Sequence, residues 1–392
     1  MSRILIAFFF SVILLACKND NTNETSVNID QDDILSIFDG SIDLNNLPNY
    51  ANQEIPDYIN KDNTTNNEIT DEGAVLGRVL FYDKNLSIDN SISCASCHQQ
   101  AFAFSDKDVA STGVNGTTGR HSMRLINARF ADEENFFWDE RANTLEEQTT
   151  QPIQDHVEMG FSGNDGSQSI DDLCDKLESI DYYNELFDFV YGDTQVTEAR
   201  IQNALGQFIR SIQSFDSKYD VGRAQVNNNN NDFPNFTNEE NEGKQLFMDR
   251  PNFNNNGIRV GGGLGCNGCH RAPEFDIDPN SGNNGIIESL ANENDLDTEI
   301  TRSPTLRDLF NNSGEANGPM MHTGFTENLS EVLDHYDQIG STGNGLDRRL
   351  SPAGNPQNLS MTQEEKDAVI AFILTLSGIE VYMNEKWSDP FD

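Results

Sequence analysis

Apolar positions recur at three- and four-residue steps in several parts of the chain. The clearest case runs from 197 to 219, where Ile201, Ala204, Leu205, Phe208, Ile209 and Ile212 mark one helical face. Leu76, Val79 and Leu80 do the same from about Asp71, and Leu173, Cys174 and Leu177 within 170–180. The last helix carries Val369, Ile370, Phe372, Ile373 and Leu376 and is expected to stop at Gly378. Thr362 with Glu365, and Thr237 with Glu240, have the spacing of capping boxes that open helices. A shorter helix is predicted over 329–336, with Val332 and Leu333 packing inward. Strand-like alternation of any length is absent, so the expected fold class is all-α with long loops.

Where the periodicity fails, it divides the chain. Residues 1–17 read as a lipoprotein signal peptide: Arg3, an apolar run from Ile4 to Leu15, then Leu14-Leu15-Ala16-Cys17. That run is too short to span a bilayer. The tetrapeptide resembles a bacterial lipobox, which makes Cys17 the expected lipidated residue. A periplasmic protein, lipid-anchored to a bacterial membrane, is the expectation. Residues 18–70 are rich in Asn, Asp and Thr and read as a disordered tether. An N-terminal domain is expected over 71–226 and an Asn-rich linker over 227–236, marked by the run Asn227 to Asn231. A C-terminal domain is expected over 237–392.

Two stretches carry chemistry: Cys94-Ala-Ser-Cys97-His98 and Cys266-Asn-Gly-Cys269-His270. Each reads C-x-x-C-H, the pattern of covalent c-type haem attachment. Two thiols anchor the porphyrin edge, and the adjacent His turns its imidazole onto the iron. A zinc site would want further Cys or His ligands at similar spacing, and a disulfide would not explain a His after both pairs. Ahead of the motifs stand Gly77-Arg78-Val79-Leu80-Phe81-Tyr82-Asp83 and Gly243-Lys244-Gln245-Leu246-Phe247-Met248-Asp249, both Gly, basic, x, Leu, Phe, x, Asp. The architecture predicted is two tandem cytochrome c-like domains, each with one covalent c-type haem. With Cys17 set aside and four cysteines on haem, Cys174 is left as a buried, unreactive thiol. Of 392 residues, 25 are basic and 65 acidic, a formal net charge of −40. Nucleic acid is excluded as a partner, since phosphate binding needs a basic patch.

Further motifs carry a family resemblance. Phe137-Trp138-Asp139-Glu140-Arg141-Ala142, Leu145-Glu146-Glu147-Gln148, Pro152 and Val157-Glu158-Met159-Gly160 in the first half resemble the bacterial di-haem cytochrome c peroxidase and MauG superfamily. So do Arg302-Ser303-Pro304-Thr305-Leu306-Arg307 and Met321-His322-Thr323-Gly324 in the second. The resemblance implies that hydrogen peroxide meets the N-terminal haem and electrons enter at the C-terminal one. It makes Glu158 and Gln148 the distal catalytic pair and Trp138 the aromatic residue between the haems. Glu158 then moves protons during O–O cleavage, with His156 as an alternative base. The His98 haem is expected to be open, because the loop Gly113 to Gly116 has no His; His121 is the alternative distal ligand. The family's interdomain calcium maps to His121, where an Asn is usual, and to carbonyls near Arg302 and Pro304. On the far side of the His270 haem the resemblance puts Tyr336, with Met321 or Met320 as alternatives and His335 adjacent.

The favoured activity is peroxide reduction with electrons from a small redox protein of cytochrome c or cupredoxin type. The alternatives are a MauG-like oxidase of a protein or organic substrate, or a non-catalytic di-haem electron carrier. A homodimer is left open.

Overall fold

The structure, a computed structural model, describes residues 31–131, 135–164, 166–276, 281–292, 295–340, 343 and 345–392. The leader, Cys17 and the start of the expected tether lie outside the described residues. The described chain is mostly helical, with two small antiparallel strand pairs. They join 112–113 to 116–117 and 251–253 to 259–262, too short for alternation to betray them. None of the described helices is long and apolar enough to cross a membrane.

The Gly-basic-x-Leu-Phe-x-Asp repeat has a packing cause. Helix Asp71–Tyr82 crosses helix Glu198–Ser211 where a Cβ on Gly77 would fall onto the Ala204 carbonyl. Helix Asn238–Met248 crosses helix Gln363–Leu374 in the same way, Gly243 lying against the Ala368 carbonyl. Only glycine allows backbones to approach so closely. The Phe of each repeat, Phe81 and Phe247, is fully buried beside that crossing. The basic residue is buried too and secures a flanking segment. Arg78 donates to Ser388 O (2.7 Å), and Lys244 to Asn229 O (2.7 Å) and to Asn231 O. Both capping boxes form.

Two cores result, with different boundaries from those expected. The first takes Ile34 through Ile212 and also Val381 and Trp387; the second runs from Tyr219 to Leu376. Three corrections follow. From Ile34 onward residues 18–70 are no tether, because Ile34, Phe38, Ile42, Leu44 and Tyr50 are buried in the first core. Their polar neighbours close local turns, as when Asp43 Oδ1 takes the Asn45 N–H and Asp62 Oδ1 the Thr64 N–H. The Asn-rich 227–236 segment is no free linker either. Phe233 and Phe236 enter the second core, and Asn229 Oδ1 accepts from Tyr219 Oη at 2.7 Å. Finally, 237–392 is not one domain: its tail returns to the first core, where Trp387 is 1% exposed.

The single helix expected over 197–219 is broken: it ends at Ser211 and a short second helix begins at Lys218, while the last long helix ends at Leu374, short of Gly378. Cys174 is buried, and burial pushes its thiol up to about 11.

Candidate functional site

Cys94–Cys97 form a single helical turn capped by Ser93, and the His98 N–H closes it on Cys94 O at 2.9 Å. His98 Nδ1 meets Phe104 O at 3.2 Å, which leaves Nε2 as the nitrogen available to a metal. Burial pushes the imidazole down to about 4, so it is neutral at pH 7. All three side chains line a cavity of about 510 Å³, within the roughly 300–1,000 Å³ typical of ligand sites. Two free thiols, a neutral tethered imidazole and a roomy cavity fit a c-type haem.

Glu158 and Gln148 line the same cavity. Gln148 lies on helix Leu145–Gln154, where Leu145, Gln148, Thr149 and Pro152 share the cavity face at helical spacing. Glu146 of that helix pairs with Arg210 and accepts from Asn67 Nδ2 at 2.7 Å, fixing the helix to Glu198–Ser211. Glu158 is placed by backbone contacts. Asp155 Oδ1 takes the Val157 and Glu158 N–H groups (2.7 and 3.1 Å), and Glu158 O takes the Val114 N–H at 2.9 Å. Gly113 permits this approach, since a Cβ there would fall onto Val157 O. Burial, reinforced by the Asp155 charge and opposed by Arg141, pushes the Glu158 carboxyl up to about 7. His156, the alternative base, is exposed and does not line the cavity.

Trp138 stands in the wall between this cavity and a second one, lining both. Its Nε1 donates to His121 O and its carbonyl accepts from Arg302 N, each at 2.7 Å. The His121 ring turns to Asp108 O (3.0 Å) and Ser105 Oγ (3.4 Å), so it is not poised as a distal ligand. Nor do these residues fit the family's calcium: His121 supplies no side-chain oxygen, and Pro304 O is engaged by His270 Nδ1. The sequence reading missed His322. It is 1% exposed, 6.0 Å from the Trp138 ring between centroids, and its Nε2 lies 3.7 Å from Asp297 Oδ2. It stands in the Met321-His322-Thr323-Gly324 motif, which carried the family resemblance without giving the His a role of its own.

A second, tighter cavity of about 90 Å³ is lined by His270, with Cys266 and Cys269 outside its lining. His270 Nδ1 meets Pro304 O at 2.9 Å, its N–H closes on Cys266 O at 2.9 Å, and burial pushes its ring down to about 4. Tyr336, Met320 and Met321 line this cavity with His270. Helix Leu329–Asp337 presents Leu329, Val332 and Tyr336 to it at helical spacing. Tyr336 Oη lies 3.9 Å from Met321 Sδ, so both candidate ligands share one place. Burial first, then the neighbouring Cys269 and Cys266, raise the phenol well above its usual value. His335 is turned away, its Nε2 on Asn284 O at 2.9 Å. No described group of three or more His, Cys, Asp or Glu forms another metal cluster.

A family model described as di-haem cytochrome c peroxidase matches residues 71–228. The methylamine utilization protein MauG of Methylophilus methylotrophus is 27% identical over 340 residues, covering 85% of this chain and 90% of the relative. The cytochrome c551 peroxidase of Nitrosomonas europaea is 27% identical over 319 residues, covering 78% and 80%. Among solved structures, a MauG-like protein associated with microbial copper homeostasis superposes with a TM-score of 0.65 at 25% identity. That match covers 87% of this chain and 99% of the other.

Proposed function

The chain belongs to the di-haem cytochrome c peroxidase and MauG superfamily, and from that premise we propose that it reduces hydrogen peroxide to water. The electrons come one at a time from a small cytochrome c or cupredoxin. The observation that carries this reading is Glu158, a half-buried carboxyl with its pKa raised to about 7, in the cavity of Cys94, Cys97 and His98. A c-type haem held by those three residues would supply the iron for O–O cleavage and the route for electrons.

The chain's own residues supply the rest. Glu158 Oε takes a proton from one peroxide oxygen and returns it to the leaving oxygen, a shuttle suited to a group that titrates near neutrality. The Gln148 amide, on the same cavity, would orient the peroxide by hydrogen bonding. Trp138, in the wall shared with the His270 cavity, offers an aromatic ring on the path between the two halves. The holoprotein should oxidise two equivalents of reduced cytochrome c or cupredoxin per peroxide in steady state. Peroxide-dependent oxidation of an organic substrate, with these donors left reduced, would favour the oxidase reading instead.

One observation favours that second, MauG-like reading: Tyr336 lines the same cavity as His270. A phenolate ligand stabilises ferric iron by its charge. Tyr336→Phe should therefore raise the reduction potential of the C-terminal haem and change its ferric optical spectrum, while Met321→Leu changes little. The reverse pattern would assign Met321 as the ligand and the chain to the ordinary peroxidases.

A further inference from the structure

Arg124 also stands in the wall common to the two cavities. It lines the first with His98 and Trp138, and the second with His270 and Tyr336. The other arginines lining these cavities have carboxylate partners. Arg120 is 2.6 Å from Asp139 and 2.8 Å from Asp297, Arg141 is 2.9 Å from Asp139, and Arg302 is 3.6 Å from Asp276. Arg124 has none among the described residues. Its Nη1 reaches Thr305 O at 3.4 Å, and its buried Nε has no acceptor. The fully buried Asp308 makes no ion pair with it and uses Oδ1 on the Gly378 N–H at 2.8 Å.

A half-buried guanidinium with a fully buried Nε and no ion-pair partner is costly, and a chain with 65 acidic residues had ample means to supply one. An acceptor from outside the polypeptide meets the need: a carboxylate that both cavities can present. The guanidinium fork matches that group in shape and charge.

We infer that Arg124 is a binding residue for the propionate carboxylates of the haems held in the two cavities, one cation shared by both. The inference rests on the two-haem reading above. It has an electrostatic consequence. An electron added near a fixed positive charge is stabilised, so Arg124 raises the reduction potential of both haems.

The test uses mature holoprotein in wild-type, Arg124→Gln and Arg124→Lys forms, with no organic substrate added. Haem content is read by mass, the midpoint potentials by spectroelectrochemistry and the propionate bending bands by resonance Raman. In Arg124→Gln both midpoints should fall and the propionate bands shift; Arg124→Lys should recover the midpoints more than the bands, because it keeps the charge without the fork. If the Gln variant fails to mature, shifted bands in Arg124→Lys support the assignment and unchanged bands overturn it. Two haems with unmoved midpoints and bands in Arg124→Gln would overturn this inference alone, whereas a wild type with fewer than two haems would sink the function reading with it. A difference between wild type and Arg124→Gln that emerges only on adding succinate would assign Arg124 to a free carboxylate, against the propionate assignment.

Discussion

Glu158→Gln should keep the fold and both haems and lower peroxide turnover by about 10²–10⁴-fold, the usual loss on removing a general acid–base group. The amide preserves size and hydrogen bonding but cannot take a proton. The fold tolerates the change because Glu158 is held through its backbone, by Val114 N and Asp155 Oδ1, not through its carboxylate. The pH profile gives a second readout. The proton acceptor is the ionised form, so turnover should rise with pH through about 7, where burial has moved the carboxyl. Asp155 raises that pKa by repulsion, so Asp155→Asn, which retains Oδ1 for the two N–H groups, should move the limb to lower pH. Near-wild-type turnover in Glu158→Gln, measured on holoprotein, would remove Glu158 from the mechanism.

Arg307→Met should destabilise the holoprotein by about 3–5 kcal/mol, because it strands a buried charge. Arg307 is 0% exposed, and both terminal nitrogens reach Asp220 at 2.9 Å. Nη2 also donates to Pro273 O at 2.8 Å, and Phe215, Tyr219 and Phe275 surround the guanidinium. The pair ties the Ser217–Asp220 cap, where the chain crosses from the first core to the second, to the segment behind the second C-x-x-C-H. Burial pushes the Asp220 carboxyl up, but Arg307 outweighs it and holds the pKa below the usual carboxylate value. With a depressed folded pKa, this contribution is present above the unfolded carboxylate range and is lost as pH falls through the folded pKa. Adding Asp220→Asn to Arg307→Met should recover much of the loss. A single-variant loss under about 1 kcal/mol in denaturant unfolding would contradict a net role for the pair.

The haem motifs were legible because covalent attachment fixes their spacing, and the helices because Ile201 to Ile212 keep a strict period. The repeat at Gly77 and Gly243 was visible, yet its cause was not: a backbone crossing depends on a partner helix more than a hundred residues away. Residues 34 to 70 were misread for a related reason. A few anchors such as Phe38 and Tyr50 hold a polar stretch whose composition reads as disorder, and composition does not weight position. The same applies to Phe233 and Phe236 beside the Asn run. In the site, Glu158 and Gln148 came through family motifs. Arg124 did not, since a missing partner is visible only in three dimensions, and His322 stood in a family motif that did not reveal its packing on Trp138.

The most direct test of the account is peroxide titration of the ferric holoprotein, followed by optical and EPR spectra, with and without a reduced cytochrome donor. The spectrum of the His98 haem should change in proportion to peroxide, and two equivalents of donor per peroxide should restore the resting state. Spectra that ignore peroxide would leave a di-haem electron carrier and contradict the assignment of the Glu158 cavity to peroxide chemistry.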